Sequence, residues 1–432
     1  MEKIKIIGAG LAGSEASLYL ADKGIKVQLF EMRPQKMTPA HQTGKAAELV
    51  CSNSLKSTLL DTPSGLLKEE IRLLGSKLLP LAESCAVPAG HALAVDRELF
   101  ADKVSAQIEK HQNIELIREE VTRLSRETTI LCTGPLTSDA MMRALQDILG
   151  EEQLYFFDAI APIVSADSLD YGKIYRKDRY DKGNPDYLNC PFTRDEYYAF
   201  VEALQTGEKH EAHEFENEFF RDPKFKFYEN CTPVEELARR GKDTLAHGVM
   251  RPMGLEWEGK KPFAVLQLRT ENQDQTAFNL VGCQTMLRYP EQKRIFRMIP
   301  GLEKSEFLRY GSIHRNSYLN APKVLNNNLS LKRAANVFVA GQLCGVEGYM
   351  ECVATGLLAV KIVSEKMDIL PPETILGQLW RKLITPPAKD FQPTNANFGL
   401  LPALDMKIRD KKQKKLSLAR RGLKALQDYL GG

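Results

Sequence analysis

The chain has 432 residues, 43% of them hydrophobic and 27% charged, with a net charge of +3. That much apolar content suffices for a large core and predicts two domains, excluding a chain disordered throughout. A charge this close to balance does not by itself argue for nucleic acid, so the distribution of the basic residues carries more information than their sum.

The sequence opens Met1-Glu2-Lys3-Ile4 and runs directly into a glycine-rich turn, without the basic, apolar and cleavage regions of a secretory leader. No apolar run reaches the roughly 18 residues a transmembrane helix needs. The expectation is a soluble cytoplasmic protein without a membrane partner. Eight cysteines, at 51, 85, 132, 190, 231, 283, 344 and 352, follow no short repeated spacing, so they are expected to be reduced and mostly packed in the core.

In chain order, "IKII" (residues 4 to 7) is a β-branched run that predicts a strand, and "GAGLAGSEASLYLADKG" predicts a turn opening a helix. "IKVQLFEM" (25 to 32) predicts a second strand, completing a βαβ unit and hence a parallel sheet. A helix is expected over 66 to 79, and Asp96 is placed to cap a long amphipathic helix. "NIELIREEVTRLS" and "TTILCTGP" predict strands, the second stopped by Gly134 and Pro135. Beyond about residue 165 the texture becomes aromatic, charged and broken by Gly and Pro. Near residue 333 the first texture returns, in "ANVFVAGQLCGVEGYMECVATGLLAVKIV". The expected architecture is α/β: a discontinuous cofactor domain built from 1–180 and 310–432, with an inserted mixed domain over 181–309.

The strongest local signal is Gly8, Ala9, Gly10, Leu11, Ala12 and Gly13, preceded by a strand and followed by a helix. The first glycine permits the tight turn, the second lets a pyrophosphate approach the backbone, and the third lets helix and sheet pack closely. Unpaired N–H groups and the positive end of the helix then favour phosphate. Glu31 ends the next strand, 23 residues after Gly8, at the spacing of a carboxylate that takes hydrogen bonds from ribose hydroxyls. Together these predict dinucleotide binding.

The segment "FVAGQLCGVEGYMECVATG" resembles the closing flavin-contact segment of glutathione-reductase-like flavoproteins, which implies FAD and a Rossmann-like, glutathione-reductase-type domain. That resemblance places Gly341 and Gln342 at the cofactor. Gln342 stands where such proteins usually carry an acid, and its amide can still donate to and accept from ribityl or phosphate oxygens.

No Gly-x-Ser-x-Gly elbow and no His-Glu-x-x-His pair is present; His210 and His213, three apart among acids, fit a solvated helix, and no metal is expected. "GAGLAGSEA", "AELVCSNSLKS", "YENCTPVEELARRG", "HRNSYLNAP" and "AGQLCGVEGYMECVATG", spread over most of the chain, resemble the bacterial folate- and FAD-dependent tRNA uracil-5-methyltransferases. The resemblance implies that the methylene carbon of 5,10-methylenetetrahydrofolate passes to C5 of the T-loop uridine of tRNA. Reduction to methyl would use FAD and NADPH or NADH.

It also maps that family's two functional cysteines onto Cys51 and Cys231, with Asn230 where the family commonly has Gly. The chemistry needs such groups: addition of a thiolate at uracil C6 makes C5 nucleophilic, and a base must then remove the C5 proton. Cys231 is assigned the attack on C6 and Cys51 the proton or the resolution of the adduct, with the reversed order open. Competing readings are the related flavin-dependent tRNA wobble-uridine modification protein and a small-molecule flavin oxidoreductase.

Between residues 405 and 424 there are nine basic and two acidic side chains, among them Lys411, Lys412, Lys414 and Lys415, a local attraction for phosphate. A second basic region, Lys173, Arg176, Lys177, Arg179 and Lys182, is interleaved with tyrosines that could stack on bases or on folate. His314 and Arg315, in the family-like "YGSIHRNSYLNAP", are expected to face a substrate, either folate or uridine. The oligomeric state is not legible in the sequence.

Overall fold

The computed structural model describes residues 3–150, 154–181, 184–209, 232–387 and 391–431. Cys231, Asn230, Lys182, His210 and His213 lie outside the described residues.

The first sheet has six strands in the order Ser330–Leu331, Ala334–Val339, Thr129–Leu131, Ile4–Ile7, Val27–Phe30 and Ile114–Ile117. All pairings are parallel except that of the Ser330–Leu331 edge. The apolar strand runs are short and continuous because helices cover this sheet, as parallel sheets require. Register aligns the strand ends: Ile7 lies beside Phe30 and Leu131, and Leu131 beside Val339. The loops that leave these ends, carrying Gly8, Glu31, Thr133 and Gly341, therefore meet at one edge.

The Leu11–Asp22 helix is capped by Gly10, and its residues Ala12 to Ala21 are buried. It packs against the Tyr349–Glu365 helix, where Gly356 comes so close that a Cβ there would sit 2.4 Å from the Ala12 carbonyl oxygen. The single helix expected over 66–79 is two, Pro63–Leu73 and Leu78–Glu83, because Gly75 turns the chain at a φ of +85°. Asp96 caps Arg97–Lys110 through the Leu99 N–H at 3.0 Å.

Two fully buried glutamate side chains secure helix starts. Glu15 accepts the N–H groups of Lys77 and Leu78 at 2.8 and 2.7 Å. Glu70 does the same for Ile375 and Leu376 at 2.8 Å each, at the head of the Ile375–Ile384 helix. Each side chain satisfies backbone donors that the helix itself leaves unpaired.

The second sheet is antiparallel, in the order Tyr175–Arg176, Leu188–Phe192, Ala264–Thr270, Ala277–Leu280, Ile163–Ser165 and Phe307–Arg309. It has its own core, from Val164 to Leu302, roofed by the Arg194–Thr206 helix with its Thr193–Glu196 capping box. Ile163–Ser165 and Tyr175–Arg176 precede the boundary expected at 181, yet they pair within this sheet. The chain passes between the two sheets along a ladder of Leu154–Ile160 against Ser312–Tyr318. A small sheet, Ser54–Ser57, Ala92–Val95 and Ala86–Val87, lies beside the first core. The Lys411–Gly431 helix docks through Leu418, Ala419, Gly422 and Leu426. Among the described residues no helix is long and apolar enough to cross a membrane.

Candidate active site at the junction of two clefts

The glycine-rich turn forms the floor of a cleft of about 1000 Å³, lined by Gly8, Gly10, Leu11, Ala12, Glu31, Gly341 and Gln342, among others. Gly8 takes a φ of +99°, and a Cβ there would strike the Cys132 carbonyl oxygen at 2.6 Å. At Gly13 a Cβ would lie 1.8 Å from the Gly8 oxygen, so this glycine serves packing. Gly10 differs: the space a side chain would fill is open to 4 Å, and the backbone faces the cleft. That is the cradle a pyrophosphate requires. Ala9 does not line the cleft; its N–H donates to Glu31 Oε2 at 2.9 Å and its carbonyl accepts from Ala47 N–H at 2.8 Å.

Glu31 is buried and held by Arg33, whose backbone N–H and Nε donate to Oε1 at 3.0 and 2.8 Å. Burial pushes its carboxyl upward, but the Arg33 guanidinium and the backbone N–H groups outweigh this and hold it below the usual carboxylate range. Arg33 is itself only 2% exposed and also engages Glu48, at 3.2 Å. A buried charge this well paired fixes the loop that follows the second strand. Opposite, Gly341 N–H donates to Thr355 Oγ1 at 2.9 Å, and Gln342 Nε2 to Glu347 Oε2 at 2.6 Å, which orients the amide at the cleft wall.

A second cleft, of about 1080 Å³, is lined by Cys51, Ser52, Lys56, Ile160, Gln284, Asn316 and Gly348, among others. Val50, Pro135, Leu136, Gln342 and Tyr349 line both clefts, so the thiol-bearing cavity adjoins the glycine-lined cleft. Cys51 is half-buried, whereas the other described cysteines are all buried and free. Burial pushes the Cys132 and Cys352 thiols far up and Cys344 up to about 12, so these behave as packing groups.

The Cys51 loop is strapped from both lobes. Tyr349 Oη accepts the N–H groups of Cys51 and Ser52 at 2.9 and 3.2 Å. Arg97 donates to the Leu49 carbonyl at 2.8 Å and pairs with Glu271. Arg269, from the antiparallel sheet, donates to Ser52 Oγ and Asn53 Oδ1, both at 2.8 Å. Arg97 and Arg309 are both within electrostatic reach of Cys51. An anion formed in this cavity would therefore face two guanidiniums. Burial and the Cys51 sulfur push the Tyr349 hydroxyl upward, so it stays protonated at neutral pH.

Sequence reasoning singled out Cys51 but missed Tyr349, Arg97 and Arg269. Their spacing of up to about 300 residues from the loop carries no local signal; only Tyr349, inside the glycine-rich closing segment, was within reach of a motif. Cys231 precedes the Val234–Arg239 helix, which Pro233 opens from the N-cap position. His314 and Arg315 lie on the Ser312–Tyr318 strand, next to Asn316, which lines the second cleft. Lys411, Lys412, Lys414 and Lys415 are brought to neither cleft; they occupy the exposed first turns of the last helix. The second basic region is largely tied down: Lys173 pairs with Glu303, Arg176 bonds Gln275, and Arg179 bonds the Arg251 and Met253 carbonyls. Among the described residues no group of three or more His, Cys, Asp and Glu could hold a metal.

The profile of the family described as "GIDA: Glucose inhibited division protein A" matches residues 3–369. A methylenetetrahydrofolate–tRNA-(uracil-5-)-methyltransferase TrmFO of Syntrophomonas wolfei is 50% identical, over 99% of each chain. A protein of the same description from Bacillus subtilis is 48% identical, over 99% of this chain and 98% of its own. Among solved structures, Aquifex aeolicus GidA in its form I crystal shares the fold with a TM-score of 0.67 at 14% identity, covering 99% of this chain and 78% of that one. The chain belongs to the glucose inhibited division protein A family and, within it, to the methylenetetrahydrofolate–tRNA-(uracil-5-)-methyltransferases.

Proposed function

We infer that the chain is an FAD-dependent enzyme that transfers the methylene carbon of 5,10-methylenetetrahydrofolate to C5 of the T-loop uridine of tRNA, giving 5-methyluridine. The observation that carries this reading is the half-buried Cys51 thiol in a cavity that shares walls with the dinucleotide cradle. The residues of the first cleft fit FAD: open backbone at Gly10 for the pyrophosphate, the Glu31 carboxylate for a ribose, and Gly341 and Gln342 at the far wall. When bound, FAD supplies the redox ring that a methylene-to-methyl conversion needs. NADPH or NADH and the folate are read as co-substrates. The alignment of strand ends and the β-sheet crossovers support a glutathione-reductase-type cofactor lobe.

In this reading one thiolate adds to uracil C6, and the ring carbon C5 gains the electron density to take up the one-carbon unit. Cys231 is assigned that attack and Cys51 the C5 proton; the half-buried, strapped position of Cys51 suits either role. Arg97 and Arg309 counter the negative charge that the adduct spreads onto the ring. The target uridine must leave its stack to enter the cavity, at a cost of a few kcal/mol. His314 and Arg315 are proposed to face a substrate, and the lysines of the last helix to hold tRNA phosphates. The pairing of Ile163–Ser165 and Tyr175–Arg176 in the antiparallel sheet favours an inserted lobe that starts near residue 161 rather than 181 and ends near 309.

The test supplies unmodified tRNA, labelled methylenetetrahydrofolate and reduced nicotinamide, and follows label into 5-methyluridine. The native chain transfers it, and Cys51→Ala and Cys231→Ala each abolish transfer. Label incorporation that is independent of both cysteines would refute the mechanism.

A further inference from the structure

The loop from Thr38 to Glu48, between the second strand and Cys51, is held by hydrogen bonds within itself and from more distant side chains. Glu48 accepts the N–H groups of Gln42 and Thr43 at 2.8 and 3.1 Å, and Arg118 donates to the Arg33 and Gly44 carbonyls. Arg309 reaches from the second sheet to the Ala40 carbonyl, at 3.2 Å. The held segment places His41 and Thr38 on the wall of the cofactor cleft, while Ala40 lines the adjoining one.

The hydrogen bonds around Thr38 favour one tautomer of this histidine. Its Oγ1 accepts the His41 N–H at 3.1 Å and, more weakly, the Ala40 N–H at 3.4 Å. A hydroxyl has two acceptor sites and one proton, so with both sites taken its proton points to His41 Nδ1, 2.6 Å away. Nδ1 is then the acceptor, and the ring carries its hydrogen on Nε2. Among the described residues Nε2 has no hydrogen-bond partner. The charged groups facing the ring are Arg33 and Arg309 on one side of the balance and Glu48 and Glu31 on the other. Burial first, then Arg33, lowers its pKa to about 4, so the ring is neutral at physiological pH.

We propose that His41 is a cofactor-binding residue: the Thr38 hydroxyl locks its imidazole as the Nε2–H tautomer, which donates one uncharged hydrogen bond to an oxygen of the bound flavin dinucleotide. The inference rests on the flavin reading above and adds a residue and a protonation state to it. A neutral donor suits this place, because burial disfavours a charge on the ring and Arg33, close by, adds to that. It also keeps binding indifferent to pH across the range where an ordinary histidine would titrate.

The experiment titrates FAD into apoprotein and reads flavin fluorescence, for the native chain, His41→Leu and His41→Gln, at pH 6 and pH 8. Gln carries an N–H donor at the place of Nε2, whereas Leu keeps bulk alone. Loss of one neutral hydrogen bond predicts weaker binding by His41→Leu, about 3- to 10-fold, with His41→Gln within about 2-fold of native. The melting temperature of each apoprotein checks that the fold persists. Nitrogen-15 NMR of labelled histidine reads His41 directly and is expected to show the neutral Nε2–H form at pH 6. Native affinity in His41→Leu, equal losses in both variants, or a protonated ring at pH 6 overturns the proposal. If native apoprotein takes up no FAD, the flavin reading itself fails.

Discussion

Tyr349→Phe isolates the strap on the Cys51 loop, because it removes one oxygen and leaves the ring that lines both clefts. The oxygen accepts two backbone N–H groups, at 2.9 and 3.2 Å. Each such bond contributes about 0.5–1.5 kcal/mol net, so their joint loss costs the ordered loop about 2 kcal/mol. At about 1.4 kcal/mol per factor of ten, the ordered fraction relative to alternatives falls roughly 30-fold. Arg97 and Arg269 still hold the neighbouring residues, so the loop loosens at Cys51 rather than detaching. The assay alkylates native and variant protein for timed intervals and measures modification of the Cys51 peptide by mass spectrometry, alongside methyl transfer to tRNA. Faster alkylation of Cys51 together with a more than tenfold fall in kcat is expected. Unchanged alkylation and unchanged turnover would refute the claim that the hydroxyl positions the thiol.

Gly356→Ala places a methyl group 2.4 Å from the Ala12 carbonyl oxygen. Overpacking of about 1–3 kcal/mol outweighs the helix-propensity gain of roughly 1 kcal/mol. Urea unfolding should therefore show a less stable protein; a more stable one would mean the two helices are free to part. Glu70 accepts two backbone N–H groups, yet burial pushes its carboxyl up to about 8 from the ordinary 4.5. Its folded pKa lies above the unfolded one, so its contribution is complete below about pH 4.5 and is lost as pH rises toward 8. The stability advantage of native protein over Glu70→Gln should shrink between pH 5 and pH 8, and a constant difference would contradict the assignment. Replacing Lys411, Lys412, Lys414 and Lys415 with Ala should lower the salt dependence of tRNA affinity. At about 0.7–0.9 per phosphate contact, the slope of log affinity against log salt drops by roughly 2–4. An unchanged slope would leave these lysines a solubilising surface.

Texture along the chain and strand pairing divide it at different places. The break in patterning near residue 165 was visible, but Tyr175–Arg176 is a two-residue strand whose membership is settled by its partner Leu188–Phe192. The helix expected across Gly75 failed for a related reason: apolar spacing continued through it, while a positive φ and Glu15 at the next helix start divided it.

What the sequence determined by itself is what short chain segments can specify. Glycines at 8, 10 and 13 between a strand and a helix define a cradle because backbone sterics act over a few residues. Glu31 follows because strand ends in a parallel sheet fall side by side. Only the tertiary structure decided which groups hold Cys51, since Tyr349, Arg97 and Arg269 reach it from distant parts of the chain through directional hydrogen bonds that no local pattern encodes. The same holds for the uneven burial of the cysteines, which depends on what is packed around each and not on its place along the chain.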